Sequence, residues 1–363
     1  MEINFGNSNN NNKKGGGIVG GLLLLLIGTI LLWWNEGNNV RNIKTISQME
    51  KEVIEIASEQ VLPENDGKLV ATNGKFVVED EPLNDEEFNV AIKTARLKRV
   101  VEMYQWEEKE ETDDNGHRQY SYSQTWSENE LALTEYTGQT HKNPSSMPYK
   151  SKEFLANNVK VGAYSLSNDQ IKYLATEAAY DVPREIAMVG YSIQGNYLTN
   201  SSNVEKPQIG DIRISWKYND WIEASVLAVT AGNSFKDFVS ETDVHINRVD
   251  KGILSSKELI QNQENENNML KWILRGIGAL LILFGYLSIT GPISRLSSKV
   301  PILGNVVGGI LGVISFLLAI IHSLLVIIIA WFRYRPALCI ALVVVIVVAI
   351  VLIMVLSKKK KQE

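Results

Sequence analysis

Four long apolar blocks, at residues 18–34, 269–289, 306–332 and 336–356, constrain this chain more than any other feature. A bilayer core about 30 Å thick takes about 20 apolar helical residues to cross. Each block reaches or approaches that length, and the third is long enough to tilt. The pattern predicts four transmembrane helices, one before and three after a long polar stretch. A cleaved signal peptide also presents a short apolar core. The first block, however, ends in Trp33-Trp34 and then Asn35-Glu36, with no small-x-small cleavage site. Paired tryptophans beside polar residues suit an interfacial anchor, so this helix is expected to be retained.

Lysine and arginine near span ends stay preferentially on the cytosolic side. Lys13 and Lys14 precede the first block, Arg295 and Lys299 separate the second from the third, and 358–361 is a lysine run. Both termini are therefore expected in the cytosol, with residues 35–268 on the far side. Lys271, Arg275, Arg333 and Arg335 oppose this bias. Arg275 lies about two turns inside its block and is expected to snorkel to the interface. The chain carries a charge of -5; residues 1–34 contribute +1 and 269–363 contribute +9, which leaves -15 on 35–268. So acidic a domain argues against nucleic-acid binding, which needs a basic face. The single cysteine, Cys339, falls in the fourth block, so the outer domain is expected to fold on its hydrophobic core without disulfides.

That domain, residues 35–268, reads as α+β with more strand than helix. Residues 46–56 mix a helical opening with a short strand-like run. Asn73-Gly74 predicts a hairpin over 68–79. Residues 98–108 and 117–127, rich in valine, tyrosine and tryptophan, flank a polar turn at 113–116 and predict a long antiparallel hairpin. Ser167 is an N-cap for a short helix to about residue 174. Ile212, Ile214 and Trp216 alternate with Arg213, Ser215 and Lys217, which predicts a half-buried strand; Asn219-Asp220 then turns the chain into 221–231. From about residue 255 the pattern is helical into the second block. Residues 1–17, rich in asparagine and glycine, read as a disordered tail, and 357–363 as a basic cytosolic tail.

The residues carry little recognisable chemistry. None of His117, His141, His245 and His322 has a partner at a zinc-ligand spacing, and neither a nucleophile elbow nor a phosphate loop is present. No catalytic, cofactor-binding or metal residue is assigned, and no cofactor is expected. The acidic run at 107–114 reads as a solvated hairpin tip. His322, alone inside the third block, reads as a neutral imidazole bonded to a backbone carbonyl, because a proton or ion pathway needs several such groups. Gly304, Gly308 and Gly312 share one helix face, suited to packing within the bundle or to self-association. Asn200-Ser201-Ser202 is the unobstructed glycosylation sequon of the outer domain, since Pro144 disqualifies Asn143. Lys360 and Lys361 stand where a cytosolic dilysine retrieval signal sits, although a stop-transfer cluster explains them equally.

Residues 97–106 read LKRVVEMYQW and 120–126 read YSYSQTW. Pro63-Glu64-Asn65-Asp66-Gly67 lies upstream; His141-Lys142-Asn143-Pro144-Ser145, GDIRISW at 210–216 and Tyr334-Arg335-Pro336 follow. In this order, with one span before and three after, the chain resembles the transmembrane protein 43 (LUMA) family from residue 18 onward. The resemblance implies residence in the endoplasmic reticulum and inner nuclear membrane, self-association, and links to emerin- and lamin-type proteins; it brings no catalytic residues. In a bacterial member the compartment would instead be the inner membrane and those partners would not apply. The expectation is a non-enzymatic, homo-oligomeric membrane scaffold in contact with lipid. The alternative is a membrane-anchored binding or quality-control module whose outer domain captures a lipid or protein, which a deep apolar pocket would favour.

Overall fold

The computed structural model describes residues 16–112, 118–134, 141–184, 186, 188–297, 304–334, 336 and 340. The fourth block, apart from 336 and 340, lies outside the described residues, as do Lys360 and Lys361 and the hairpin tip at 113–117. The chain forms two compact units. The unit containing Gln48–Gln261 is rich in strands, and the second unit combines Ser8–Ser47 with Asn262–Glu363. Helices α1 (Gly16–Glu52), α2 (Asn168–Tyr173), α3 (Ser256–Ser297) and α4 (Gly304–Tyr334) complete the set. Among the described residues, three helices, α1, α3 and α4, are long and apolar enough to cross a membrane.

Two seven-stranded sheets build the strand-rich unit. In the first, Leu69–Val78 pairs with Glu223–Ala231 over its first part and with Val159–Val161 over its last. The path continues through Tyr164–Ser165 to Ser234–Lys236 and back to Glu223–Ala231, which closes a ring. Closure leaves these strands no free edge, and Glu223–Ala231 is accordingly buried on both faces from Ala224 to Thr230. The ring encloses Val70, Phe76, Val161, Tyr164, Val226 and Phe235, with Ile171 of α2 packed among them. Ser167 caps α2 as expected, in a capping box with Gln170.

The hairpin expected at Asn73-Gly74 does not form, because Leu69–Val78 is one continuous strand. A Cβ on Gly74 would fall 2.3 Å from Ser58 Oγ, and one on Gly162 only 2.4 Å from Ser58 O. Glycine here admits a crossing chain segment, and Asn73 bonds sideways to Leu254 O at 3.2 Å. Glycine inside a strand marks such close approaches as well as turns.

The second sheet runs Ser192–Gln194, Tyr197–Thr199, Ile212–Tyr218, Arg96–Thr112, Arg118–Ser127. The expected long hairpin is present, paired from Met103 with Ser127 to Thr112 with Arg118. Ile212, Ile214 and Trp216 point inward as the alternation predicts, onto Leu97, Val101 and Met103. Beneath them lies a buried charge. Asp85 accepts from Arg99 Nη1 and from Trp216 Nε1, each at 2.8 Å. Phe88 covers the guanidinium, with 4.8 Å between Arg99 Cζ and the ring centroid. Glu87, from an exposed position, also reaches Arg99 Nη1 at 2.7 Å. Removing Asp85 leaves the buried guanidinium only that exposed partner and strips Trp216 Nε1 of its acceptor, so Asp85→Ala should destabilise the detergent-solubilised chain by about 3 kcal/mol, read by denaturant titration. The exposed neighbour Glu86→Ala should stay within about 0.5 kcal/mol of the parent.

Candidate functional site

The three long helices converge on a polar seam whose geometry starts from four glycines. Gly21 and Gly28 on α1 and Gly278 and Gly285 on α3 are each seven residues apart, two helical turns. The helices run antiparallel, so Gly21 meets Gly285 and Gly28 meets Gly278. A Cβ on Gly21 would lie 2.7 Å from Gly285 O, and one on Gly28 would lie 2.9 Å from Gly278 O. Two backbones can approach this closely only where side chains are missing. Leu32 and Ile282, both fully buried, pack beside the crossing with Ala319 and Val326 of α4.

At the centre, His322 Nε2 lies 3.0 Å from Thr29 Oγ1, and Nδ1 lies 3.1 Å from the Tyr286 hydroxyl. Thr29 gives its own proton to Leu25 O at 2.6 Å. Its oxygen must then accept from Nε2–H, which leaves Nδ1 to accept from Tyr286. The neutral imidazole is satisfied in this tautomer and ties α3, α4 and α1 together. The carbonyl partner expected for His322 is replaced by two hydroxyls, one from α1 and one from α3. Thr290 and Ser315 add a further link at 3.1 Å. Because the Thr29 proton is committed to Leu25, the imidazole is not placed to activate that hydroxyl as a nucleophile.

Midway along α1, just past its apolar block, the seam carries charge. Arg275 donates to Glu36 through Nε at 2.7 Å and Nη2 at 2.9 Å, and Trp331 Nε1 adds a third bond at 2.8 Å. Glu36 is 1% exposed. Trp272 covers the guanidinium at 4.7 Å, Asn35 Nδ2 donates to Lys271 O, and Trp33 packs on Tyr334. The expected snorkelling of Arg275 therefore gives way to pairing with a carboxylate. The sequence held a signal for this: an arginine two turns inside an apolar block calls for a counter-charge, and Glu36 stands two residues past the end of another block.

In the strand-rich unit, the motif residues fasten the long hairpin. Asn143 behaves like a one-residue strand, accepting from Trp106 N–H at 2.7 Å and donating to Trp106 O at 2.8 Å and Leu131 O at 3.0 Å. His141 stacks on Tyr122 and meets the Trp106 ring edge-on. Burial, with the neighbouring Glu108 carboxylate, pushes the Tyr122 phenol up to about 12. Arg213 makes a bidentate pair with Glu102 and lies over Trp126 and Tyr197. No group of histidines, cysteines and carboxylates fit to hold a metal occurs among the described residues. Open depressions of about 280 Å³ beside Glu55 and Asn73 and about 640 Å³ beside Asp181 and Arg184 are lined largely by polar atoms.

The remaining sequence candidates are scattered. Gly304, Gly308 and Gly312 lie in the first turns of α4, and a Cβ on Gly312 would meet no described atom within 4 Å. Asn200 is exposed at the end of Tyr197–Thr199.

The protein-family model described as Transmembrane protein 43 matches residues 103–336. Transmembrane protein 43 of Mus musculus is 27% identical over 334 residues, covering 85% of this chain and 83% of that protein. The Homo sapiens protein of the same name is 27% identical over 327 residues, covering 83% and 80%. A Drosophila melanogaster homolog is 27% identical over 330 residues, covering 84% and 85%. No solved structure matches significantly.

Two tests follow from the seam and the hairpin. Glu36→Ala leaves the half-buried Arg275 without its carboxylate and should cost about 3 kcal/mol in detergent unfolding, while adding Arg275→Met should recover part of the loss. Equal and additive losses would refute the pairing. A phenol ionising late, at about pH 12 against an ordinary value of about 10, should vanish from the spectrophotometric titration in Tyr122→Phe. The sign follows: the neutral form is favoured by folding, so this stabilisation is complete below about pH 10 and disappears towards pH 12.

Proposed function

The chain belongs to the transmembrane protein 43 family, and on that premise we propose that it is a non-enzymatic, multi-pass membrane scaffold that self-associates through α4. It resides in the endoplasmic reticulum and inner nuclear membrane, and it organises emerin- and lamin-type partners of the nuclear envelope. Residues 336–356 supply the fourth span, both termini face the cytosol, and the strand-rich unit faces the lumen. Lys360 and Lys361 act as the retrieval signal.

One observation carries the self-association. Gly21, Gly28, Gly278 and Gly285 are consumed by contact between α1 and α3, whereas a Cβ on Gly312 of α4, like one on Gly20, Gly276 or Gly291, would meet no described atom within 4 Å. A small-residue helix face without a partner among the described residues suits close contact with a second copy, because helix association in lipid depends on packing. The orientation is supported by Arg275. Its charge is spent on Glu36, so the main exception to the cytosolic bias of basic residues loses its weight. Trp33, Trp272, Trp331 and Tyr334 gather at one level of the helices around the Glu36–Arg275 pair, in keeping with an interfacial aromatic belt. For the alternative, capture of a lumenal lipid, the ring interior is filled by side chains, and the two depressions are polar.

Replacing Gly308 and Gly312 with leucine should reduce the crosslinked dimer recovered from membranes several-fold while leaving solubilised monomer yield unchanged. Undiminished dimer would exclude the α4 face as the contact.

A further inference from the structure

Two asparagines of this chain begin an Asn-x-Ser triplet, and the fold treats them in opposite ways. Asn143, with Pro144 following, spends both Nδ2 protons on Trp106 O and Leu131 O, and its Oδ1 on Trp106 N–H. Asn200 is exposed, and its Oδ1 accepts from Ile212 N–H at 2.6 Å. The neighbouring Thr199 hydroxyl donates to Ile212 O at 2.6 Å, so this corner is held from both sides. With the oxygen fixed against the backbone at Ile212, Nδ2 of Asn200 is turned away and makes no hydrogen bond among the described residues. Ser201 is buried and bonds to Asn203 O, while Ser202 and Asn203 are exposed beside it.

We infer that Asn200 carries an N-linked oligosaccharide on Nδ2. This rests on the lumenal placement of the strand-rich unit proposed above. The donor is a lipid-linked oligosaccharide pyrophosphate, met by the chain during translocation. The Nδ2 nitrogen forms a bond to C1 of the first sugar, the C1–O bond to pyrophosphate breaks, the lipid pyrophosphate leaves, and one Nδ2 proton passes to a base of the transferase. Ser202 supplies the hydroxyl that the transferase requires two residues beyond the asparagine. The product is compatible with the fold because the reaction consumes an N–H and leaves Oδ1 free to keep its bond to Ile212. The sugar then projects from an exposed corner flanked by Ser202 and Asn203. A glycan at Asn143 would instead take one of the two Nδ2 protons that fasten the hairpin and force a sugar into that junction, so the folded chain has one place for it and not the other.

The test uses the full chain, expressed in eukaryotic cells and divided between two assays on the same microsomes. Peptide N-glycosidase should increase gel mobility by one step. Asn200→Gln and Ser202→Ala should each migrate at the deglycosylated position, and Ser202→Thr should raise occupancy. Ser202→Ala leaves the Asn200–Ile212 bond intact, so its loss of the step cannot be ascribed to misfolding. Protease treatment of sealed microsomes reports the compartment separately. A protected outer unit without any mobility step overturns the glycosylation and leaves the topology standing. Digestion of that unit in sealed microsomes overturns the topology and the glycosylation together. A step that persists in Asn200→Gln overturns the assignment to this residue.

Discussion

The distance between α1 and α3 governs the helical unit. Two antiparallel glycine pairs let the backbones touch, with the first missing Cβ only 2.7 Å from the opposing carbonyl. That approach brings Thr29 within reach of His322 and sets Glu36 against Arg275. Without it, the Glu36–Arg275 pair would be split and His322 would lose its bond to Thr29, a substantial cost at membrane depth. The dependence also runs the other way: apolar side chains gain little from associating in lipid, so these few polar bonds and the close packing select one register for the helices.

The strand-rich unit solves a different problem in water. Its first sheet closes into a ring and hides its edges, and its second is built on the long strand Arg96–Thr112 with Asn143 standing in for a neighbouring strand. The buried Asp85–Arg99 pair joins residues from separate strands around Trp216. Such pairs are weak sources of net stability but strongly penalise misassembly when one member is misplaced.

Local rules made much of this legible. The capping box at Ser167, the inward stripe of Ile212, Ile214 and Trp216, and the long aromatic hairpin depend on neighbours within a few residues or on strict alternation. Asn73-Gly74 misled because the reason for its glycine is Ser58, a residue that comes close only after folding. The seam was partly hidden for the same reason: the partners of His322 are 36 and 293 residues away in sequence. The seven-residue spacing of Gly21 with Gly28 and of Gly278 with Gly285 was nonetheless visible, and its match between two apolar blocks is the signal that points to the crossing.

The central claim is that α1 is a retained helix packed antiparallel on α3. The most direct measurement places single cysteines at Leu25 and Ile282, which pack in one cluster, in a Cys339→Ala background, and oxidises the chain in native membranes. Mass spectrometry should then find the peptides of α1 and α3 joined within one chain, while a control pair of Leu25 with the lipid-exposed Leu280 should stay reduced. Absence of the Leu25–Ile282 link, or loss of α1 from the mature protein, would contradict the account.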